Sequence, residues 1–446
     1  MNHLEFYLNN GGKYSFIPRR DQLEKSIYIT TSSKYYDPLR GQRIIEDFLD
    51  GMVFGEELGF DGLLVLEQHG GPNAVAGQAV VLTSVLAART KHIRVGTVGA
   101  IMNTYLTPMR YAEEVVALDY LSRGRYFFGM PLGIGPNYHA LGLDPTHARE
   151  RHREGHDLLK KALTEDGPFD WDGKYFRAPY ANLWPKPLQK PHPEIWVPAV
   201  GSKESLKFAA DNRYTYLAIL VPLPMLMKNV QTFRDMCQEA GYTPDPSQIV
   251  ATAMIHVAET DRQARQEVEA HYMSVLQNSF GSAFHDSFPP GHVTPQSLRG
   301  MAAGGYRSRE ISDTTFEDAV ADRSIICGSP ETVAEQIDEL TSAMGAGRLV
   351  VTGDAWTMPA WLTRKNMTLF AEEVMPRFRP PGGKPVWDRT DGDGFKTISE
   401  YGAKVDEPLA RPTVRLADVG VVDIRTAHVP ELRVPLEDPA ASDSSS

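Results

Sequence analysis

Residues Ile93 to Gly142 read IRVGTVGAIMNTYLTPMRYAEEVVALDYLSRGRYFFGMPLGIGPNYHALG, and the order strand, helix, strand, glycine-rich loop decides the fold. The first strand, Ile93–Ile101, carries Gly96 and Gly99 within an apolar run. The helix that follows puts Met109, Ala112, Val115, Val116 and Leu118 on one side, the spacing of a helix buried along one face. The second strand, Arg125–Met130, opens directly into Pro131-Leu132-Gly133-Ile134-Gly135. Bulky side chains are missing where the chain leaves the sheet, so a flat ligand can approach the backbone there.

Working outward, strands and helices keep alternating, the pattern of a parallel sheet covered by helices. Eight strands are predicted: His3–Leu8, Gly62–Leu66, Ile93–Ile101, Arg125–Met130, Glu194–Val200, Thr215–Val221, Ile249–Val257 and Arg348–Val351. Amphipathic helices lie between most of them. One begins at Ser329-Pro330, with serine as cap and proline in the first turn, and carries Val333, Ile337, Leu340 and Met344 on one face. Eight such units predict an α/β fold, a single (β/α)8 TIM-type barrel over residues 1–379. A doubly wound sheet would want G-x-G-x-x-G after the first strand, and none is present. Three insertions interrupt the pattern. Residues 9–40 are rich in tyrosine and polar groups, residues 166–193 contain a WDGKYF turn typical of a hairpin, and residues 278–323 read as a long loop without periodicity. A loop that long in a compact domain is expected to be either a lid or disordered. From PPGGKP onward, residues 380–446 form a C-terminal extension rich in proline, aspartate and serine, expected to be extended or partly disordered, with an alternating apolar segment at Val414–Val434.

Composition narrows the partners. The 446 residues include 57 acidic and 46 basic side chains. A mildly acidic chain argues against nucleic acid or an anionic membrane surface, since both select a basic face. No run reaches the roughly eighteen apolar residues needed to span a bilayer. The first residues, MNHLEFYLNNGGKYSF, lack the charged-then-apolar order of a signal peptide, which places the chain in the cytoplasm. Two cysteines make no disulfide framework, and Cys237 shares an apolar helix stripe with Phe233, Met236 and Ala240.

Candidate site residues follow from barrel geometry, because polar groups at the C-terminal ends of strands line the site. Glu67-Gln68-His69 comes directly after the second strand. His69 is suited to carry a proton near neutral pH and Glu67 to orient it; a hydrogen-bonded pair closing the barrel rim is the other reading. Gly201-Ser202-Lys203 starts a helix, where free backbone N–H groups can meet an anion or Ser202 can simply cap. Asn137, Tyr138 and His139 follow the glycine loop and are either ligand contacts or surface polar groups. His152 and His156 have the i, i+4 spacing of a metal pair, but Arg151 and Arg153 flank them and no third ligand or HExxH frame appears, so no metal is assigned. Met102, Tyr105, Phe128, Met130 and Trp356 are either core or the wall of a lipophilic pocket.

These residues also carry a resemblance. Gly96-Thr97, then Leu118-Asp119-Tyr120-Leu121-Ser122-Arg123-Gly124-Arg125, then Phe128-Gly129 resemble the bacterial luciferase-like flavin monooxygenases, and the likeness runs to about Arg379. It implies reduced FMN supplied by a separate, transiently bound flavin reductase, O2, a small organic substrate, and a homodimer or higher homo-oligomer. It implies catalytic roles for His69 and Glu67, and a lid role for residues 278–323. Val98-Gly99 matches the place of a non-proline cis peptide beneath the flavin ring. Pro191-His192-Pro193-Glu194-Ile195-Trp196-Val197 with Glu204-Ser205 matches the flavin phosphate neighbourhood, beside Gly201 and Ser202. Two positions depart from the family pattern. Gln68 stands where an imidazole is usual, which favours oxygen insertion or hydroxylation over light emission. Leu132 stands where an arginine meets the phosphate, so the countercharge is expected from Arg149, Arg151, Arg153 or Lys203, with Arg151 assigned. An F420-dependent oxidoreductase and a non-catalytic flavin-binding subunit are the alternatives on the same barrel.

Overall fold

The computed structural model describes residues 3–17, 31–73, 77–219, 223–279, 314–355 and 357–380, with a few single positions besides. Its strands are β1 Glu5–Leu8, β2 Gly62–Val65, β3 Arg94–Thr97, β4 Tyr126–Gly129, β5 Phe169–Asp172, β6 Arg177–Ala181, β7 Glu194–Ala199, β8 Thr215–Ala218, β9 Ile249–Val257, β10 Ile325–Gly328 and β11 Arg348–Thr352. Eight of them, in the order β1-β2-β3-β4-β7-β8-β9-β11, close through the β11–β1 and β8–β9 pairings into a parallel barrel ringed by helices. All eight predicted strands are barrel strands. Six are shorter than expected, the third and the sixth by the most, ending at Thr97 and Ala218.

Two-residue alternation sorts the side chains. Tyr7, Leu64, Val98, Phe127, Trp196, Leu217, Val250 and Val350 pack with one another as one buried cluster, the filling of the barrel. Their sequence neighbours Phe6, Leu8, Leu63, Val65, Val95, Phe128 and Val197 belong to the larger core under the helices. Gly96 is glycine because the interior is crowded there: a Cβ would sit 2.2 Å from the Phe127 ring. One of the covering helices, Pro108–Leu121, shows how local sequence sets the ends. Thr107 accepts from the Met109 N–H, Pro108 fills the first turn, and Tyr111, Ala112, Val115, Val116 and Leu118 are buried.

The motif that carried the family resemblance is mostly a structural anchor. Arg123 and Gly124 both take positive φ after the helix ends at Ser122. That turn delivers Arg125 into the core, where its guanidinium donates to the carbonyls of Ser122, Ile93, Ala87 and Thr90 and to the Thr90 hydroxyl. Burial lowers its pKa to about 10, still well above neutrality. Asp119 accepts from the Gln189 backbone and side chain, tying the segment before β7 to the same corner.

A charged layer closes the N-terminal end of the barrel. Arg348 donates to Glu5 at 3.0 Å and to Glu194 at 2.6 Å, and Arg94 donates to Glu194 at 2.7 Å and to the Tyr7 hydroxyl at 2.9 Å. Two carboxylates meet two guanidiniums, so the layer is neutral overall. Burial alone would raise the Glu194 pKa, but Arg348 and Arg94 outweigh it and hold the carboxyl below its ordinary range.

Residues 169–181 form the expected hairpin, with Asp172 opposite Arg177 and Trp171 opposite Ala178. The long insertion differs from expectation in its described parts. The preceding helix runs Asp261–Ser279, and a capped helix, Phe316–Ala321, occupies its end. β10 was also unexpected: Ile325 pairs with Met254 and Gly328 with Val257, beyond the part of β9 used by β8 and sharing only Met254 with the β11 pairing. The remainder of residues 278–323, Trp356 and the Val414–Val434 segment lie outside the described residues. Cys237 is fully buried, as its stripe required.

Candidate active site

At the end of β2, Glu67 and His69 meet. His69 Nε2 lies 3.0 Å from Glu67 Oε1, and the Ile101 N–H donates to the same oxygen at 3.3 Å. The side chains are 11% and 4% exposed, so the pair is sheltered yet reachable. Gly77 packs beside the ring, where a Cβ would sit 3.1 Å from His69 Nδ1. Glu67 therefore fixes the imidazole through one nitrogen. Between the two, Gln68 keeps a buried Oε1 that has no hydrogen-bond partner.

The end of β3 carries a cis peptide between Val98 and Gly99, at the position the resemblance implied. Val98 is buried in the barrel filling. Gly99 touches the chain leaving β4: a Cβ would lie 2.2 Å from Pro131 Cδ and 3.2 Å from the Gly129 carbonyl carbon. No larger residue fits.

Between the ends of β4 and β7 lies a small, half-open cavity of about 20 Å³, lined by Met130, Leu132, Arg149, His152, Arg153, Val197, Pro198, Glu204, Ser205 and Phe208. Arg149 Nε is buried there without a partner. Arg153, exposed, donates to the Glu204 carbonyl and stands 5.8 Å from the Phe208 ring centre. His152 Nε2 lies 3.2 Å from the Met130 carbonyl, and burial followed by nearby His156 lowers its pKa to about 4, leaving a neutral ring at pH 7. The combination of two guanidiniums, a serine at a helix start and a neutral imidazole suits an anion.

Several candidates are placed differently from expectation. Arg151 turns away from the cavity, donating to the Tyr105 carbonyl at 3.0 Å and stacking over Phe176 at 4.3 Å. Ser202 caps its helix, accepting from the Ser205 N–H and donating to the Ser205 hydroxyl, so Ser205 rather than Ser202 lines the cavity. Gly201 adopts φ 127° against Asn229 and is not among the lining residues. Asn137 and Tyr138 are buried structural groups: Asn137 accepts from the Ile134 N–H, and the Tyr138 hydroxyl donates to the Leu132 carbonyl at 2.7 Å. They shape the glycine loop from beneath. His152 and His156 do not converge, since His156 bonds Tyr214 and Asp157 instead. Among the described residues no group of three or more His, Cys, Asp or Glu is arranged to hold a metal. No helix among them is long and apolar enough to cross a membrane.

Unused hydrogen-bonding capacity occurs both at this end of the barrel and elsewhere, as at Trp196 Nε1, Tyr216 Oη and Arg379 Nε. At this end, Gln68 Oε1, both amide atoms of Asn73, Asn103 Oδ1, Asn137 Nδ2, Arg149 Nε and Asp354 Oδ1 are buried without partners. Buried polar atoms are normally paired, so a concentration of unpaired ones marks where a ligand is expected. A model of the luciferase-like monooxygenase family matches residues 31–347, well over half the chain. The chain belongs to the luciferase-like monooxygenase family. The alkanal monooxygenase alpha chain of Photobacterium leiognathi is 24% identical over 350 residues, covering 76% of this chain and 95% of that one. Limonene 1,2-monooxygenase of Rhodococcus erythropolis is 27% identical over 336 residues, covering 72% and 79%. In three dimensions, the oxygenating constituent of 3,6-diketocamphane monooxygenase from Pseudomonas putida, solved with FMN, aligns with a TM-score of 0.62 at 21% identity, covering 84% of this chain and 99% of that one. An F420-dependent tetrahydromethanopterin reductase from Methanopyrus kandleri aligns at 0.56 and 18%, covering 84% and 100%. Such structural likeness establishes the luciferase-like barrel and leaves the cofactor to the residues.

Proposed function

We propose that this luciferase-like protein is the oxygenase of a two-component system, taking reduced FMN from a separate flavin reductase and using O2 to oxygenate a small organic substrate. One observation carries the reading: the unpartnered Arg149 Nε in a cavity shared with Arg153 and Ser205, a donor set that fits a phosphate monoester. Arg149, Arg153 and Ser205 would hold the phosphate, and Val98 and Gly99 would back the ring system. When bound, reduced FMN supplies two electrons and activates O2. His69 carries the proton the oxygenation needs, and Glu67 keeps its ring in place through the 3.0 Å bond. Gln68 cannot take that proton, which leaves His69 as the proton carrier at the end of β2.

Anaerobic titration tests the cofactor: reduced FMN should bind saturably, and a response to F420 with none to FMN would replace this reading with the F420 alternative. His69→Ala should keep reduced-FMN binding and lose roughly a hundredfold or more in coupled product formation, the usual scale for a lost general acid or base. His69→Gln should be as slow. Near-normal turnover in both would assign His69 to structure.

A further inference from the structure

Across the barrel mouth from the phosphate cavity, the ends of β1 and β11 hold a carboxyl that the proton pair and the phosphate cavity do not use. Val350 belongs to the barrel filling, two-residue alternation puts Thr352, the last residue of β11, on the same inward side, and Asp354 follows two residues beyond the C-terminal end of that strand. Asn9 confirms the direction, donating to the Thr352 hydroxyl at 3.4 Å from the equivalent position on β1. Asp354 Oδ2 accepts from the Gly11 N–H at 3.0 Å, which fixes the carboxyl plane. Asp354 Oδ1 is shut from solvent and has no partner. Three residues beyond Gly11, the Tyr14 N–H donates to the Pro72 carbonyl, next to Asn73, whose amide is also buried and unpaired. Three residues span at most about 11 Å, so these unpaired groups flank one short loop.

A buried carboxyl oxygen without a donor is costly, and a protein keeps such a group where a ligand completes it. Burial raises the Asp354 pKa, while Lys13 and the Gly11 N–H pull it back down. The Gly11 N–H already serves one carboxyl oxygen as a donor, and the lone pairs of Oδ1 are left to accept in the same way. The missing partner is therefore a donor. We propose that Asp354 is the substrate-anchoring residue of this site, its Oδ1 accepting a hydrogen bond from a hydroxyl or amino group of the substrate. The proposal rests on the oxygenase reading and adds a substrate class to it: small organic molecules that bear an O–H or N–H donor, where the sequence pointed only to lipophilic ones.

The test uses the full chain under anaerobic conditions, with and without reduced FMN, and three probes of similar shape: cyclohexanol, cyclohexylamine and methoxycyclohexane, which has no donor. Affinities come from ligand-observed NMR. The alcohol and the amine should bind at least about tenfold tighter than the ether, the scale of one unsatisfied buried group. Asp354→Ala should bring the three within about twofold. Asp354→Asn, close in shape and safe for folding, should keep part of the alcohol preference and lose that of the amine. A wild-type chain that shows no preference, or binds none of the probes, overturns the proposal, as does any donor preference that survives in Asp354→Ala or an amine preference that survives in Asp354→Asn. Failure of the flavin reading looks different: reduced FMN would not bind, while the donor preference would persist without it.

Discussion

Replacing Arg149 by alanine separates the cavity reading from the sequence expectation. Arg149 Nε is buried and unpaired, so a phosphate would receive from it a charge-assisted hydrogen bond with no competing protein acceptor at that atom. Such bonds contribute about 1.5–3 kcal/mol, and each 1.4 kcal/mol is tenfold in affinity, so Arg149→Ala should weaken reduced-FMN binding by roughly 10- to 150-fold. Arg153 is exposed, where an ion pair contributes about 0.2–1 kcal/mol, so Arg153→Ala should cost less than about fivefold and its effect should fade with added salt. Arg151 bonds Tyr105 and stacks on Phe176, away from the cavity, and Arg151→Ala should leave affinity unchanged while lowering stability slightly. Reduced riboflavin, which lacks the phosphate, supplies the control: its weaker binding should be the same in all three variants. Anaerobic fluorescence titration measures each affinity. A loss confined to Arg151→Ala, or an equal loss for FMN and riboflavin in Arg149→Ala, would refute the phosphate assignment.

Two further outcomes follow from packing and charge. Glu194→Gln breaks a buried network with Arg348 and Arg94 and should cost about 3–5 kcal/mol in urea unfolding at pH 7. Because the folded Glu194 pKa lies below its unfolded value, its stabilisation is complete above the unfolded pKa and is lost as pH falls toward the folded one; the variant should therefore lose less stability than the parent on acidification below about pH 4.3. Gly99→Ala forces a Cβ to within 2.2 Å of Pro131 and should destabilise by about 1–3 kcal/mol, with reduced-FMN affinity falling alongside; unchanged melting and affinity would show that the loop after β4 has room to give.

The strands were legible because the barrel uses each one in the same way, an apolar run ending in glycine or a polar residue. β10 escaped notice because its apolar run, Ile325-Ile326-Cys327, is short and bounded by helices, where periodicity cannot separate strand from helix. At the site, the pairing of Glu67 with His69 was readable from position, since both follow β2 directly. The arginines divide by helix phase, a signal the sequence carried: Arg149 and Arg153 line the cavity and Arg151, the residue assigned from sequence, does not. Successive helix residues turn by about 100°, so Arg149 and Arg153, four apart, share a face while Arg151 points elsewhere. Ser202 misled for a related reason: a serine at a helix start is at once the best cap and an attractive anion contact, and here capping takes its oxygen. Asp354 left no sequence signal at all, because its meaning depends on Gly11, 343 residues away.

The two ends of the barrel divide stability from chemistry by how they treat buried polarity. At the N-terminal end, Glu5, Arg94, Glu194 and Arg348 satisfy one another, with Thr215 and Tyr7 joining the network. A complete network of this kind resists rearrangement, because removing any member strands a charge. Above it the aromatic filling of Tyr7, Phe127 and Trp196, with ring centres 4.6–5.6 Å apart, seals the interior. At the C-terminal end, Gln68, Asn73, Arg149 and Asp354 are left with unused valences, each costly unless something binds. That cost can be borne only because the lower half is rigid and self-sufficient. The same asymmetry explains why the family motif at Leu118–Arg125 builds a corner of the core, while Gln68 and Leu132, the two departures from the family pattern, stand with Arg149 and Asp354 at the C-terminal ends of the strands.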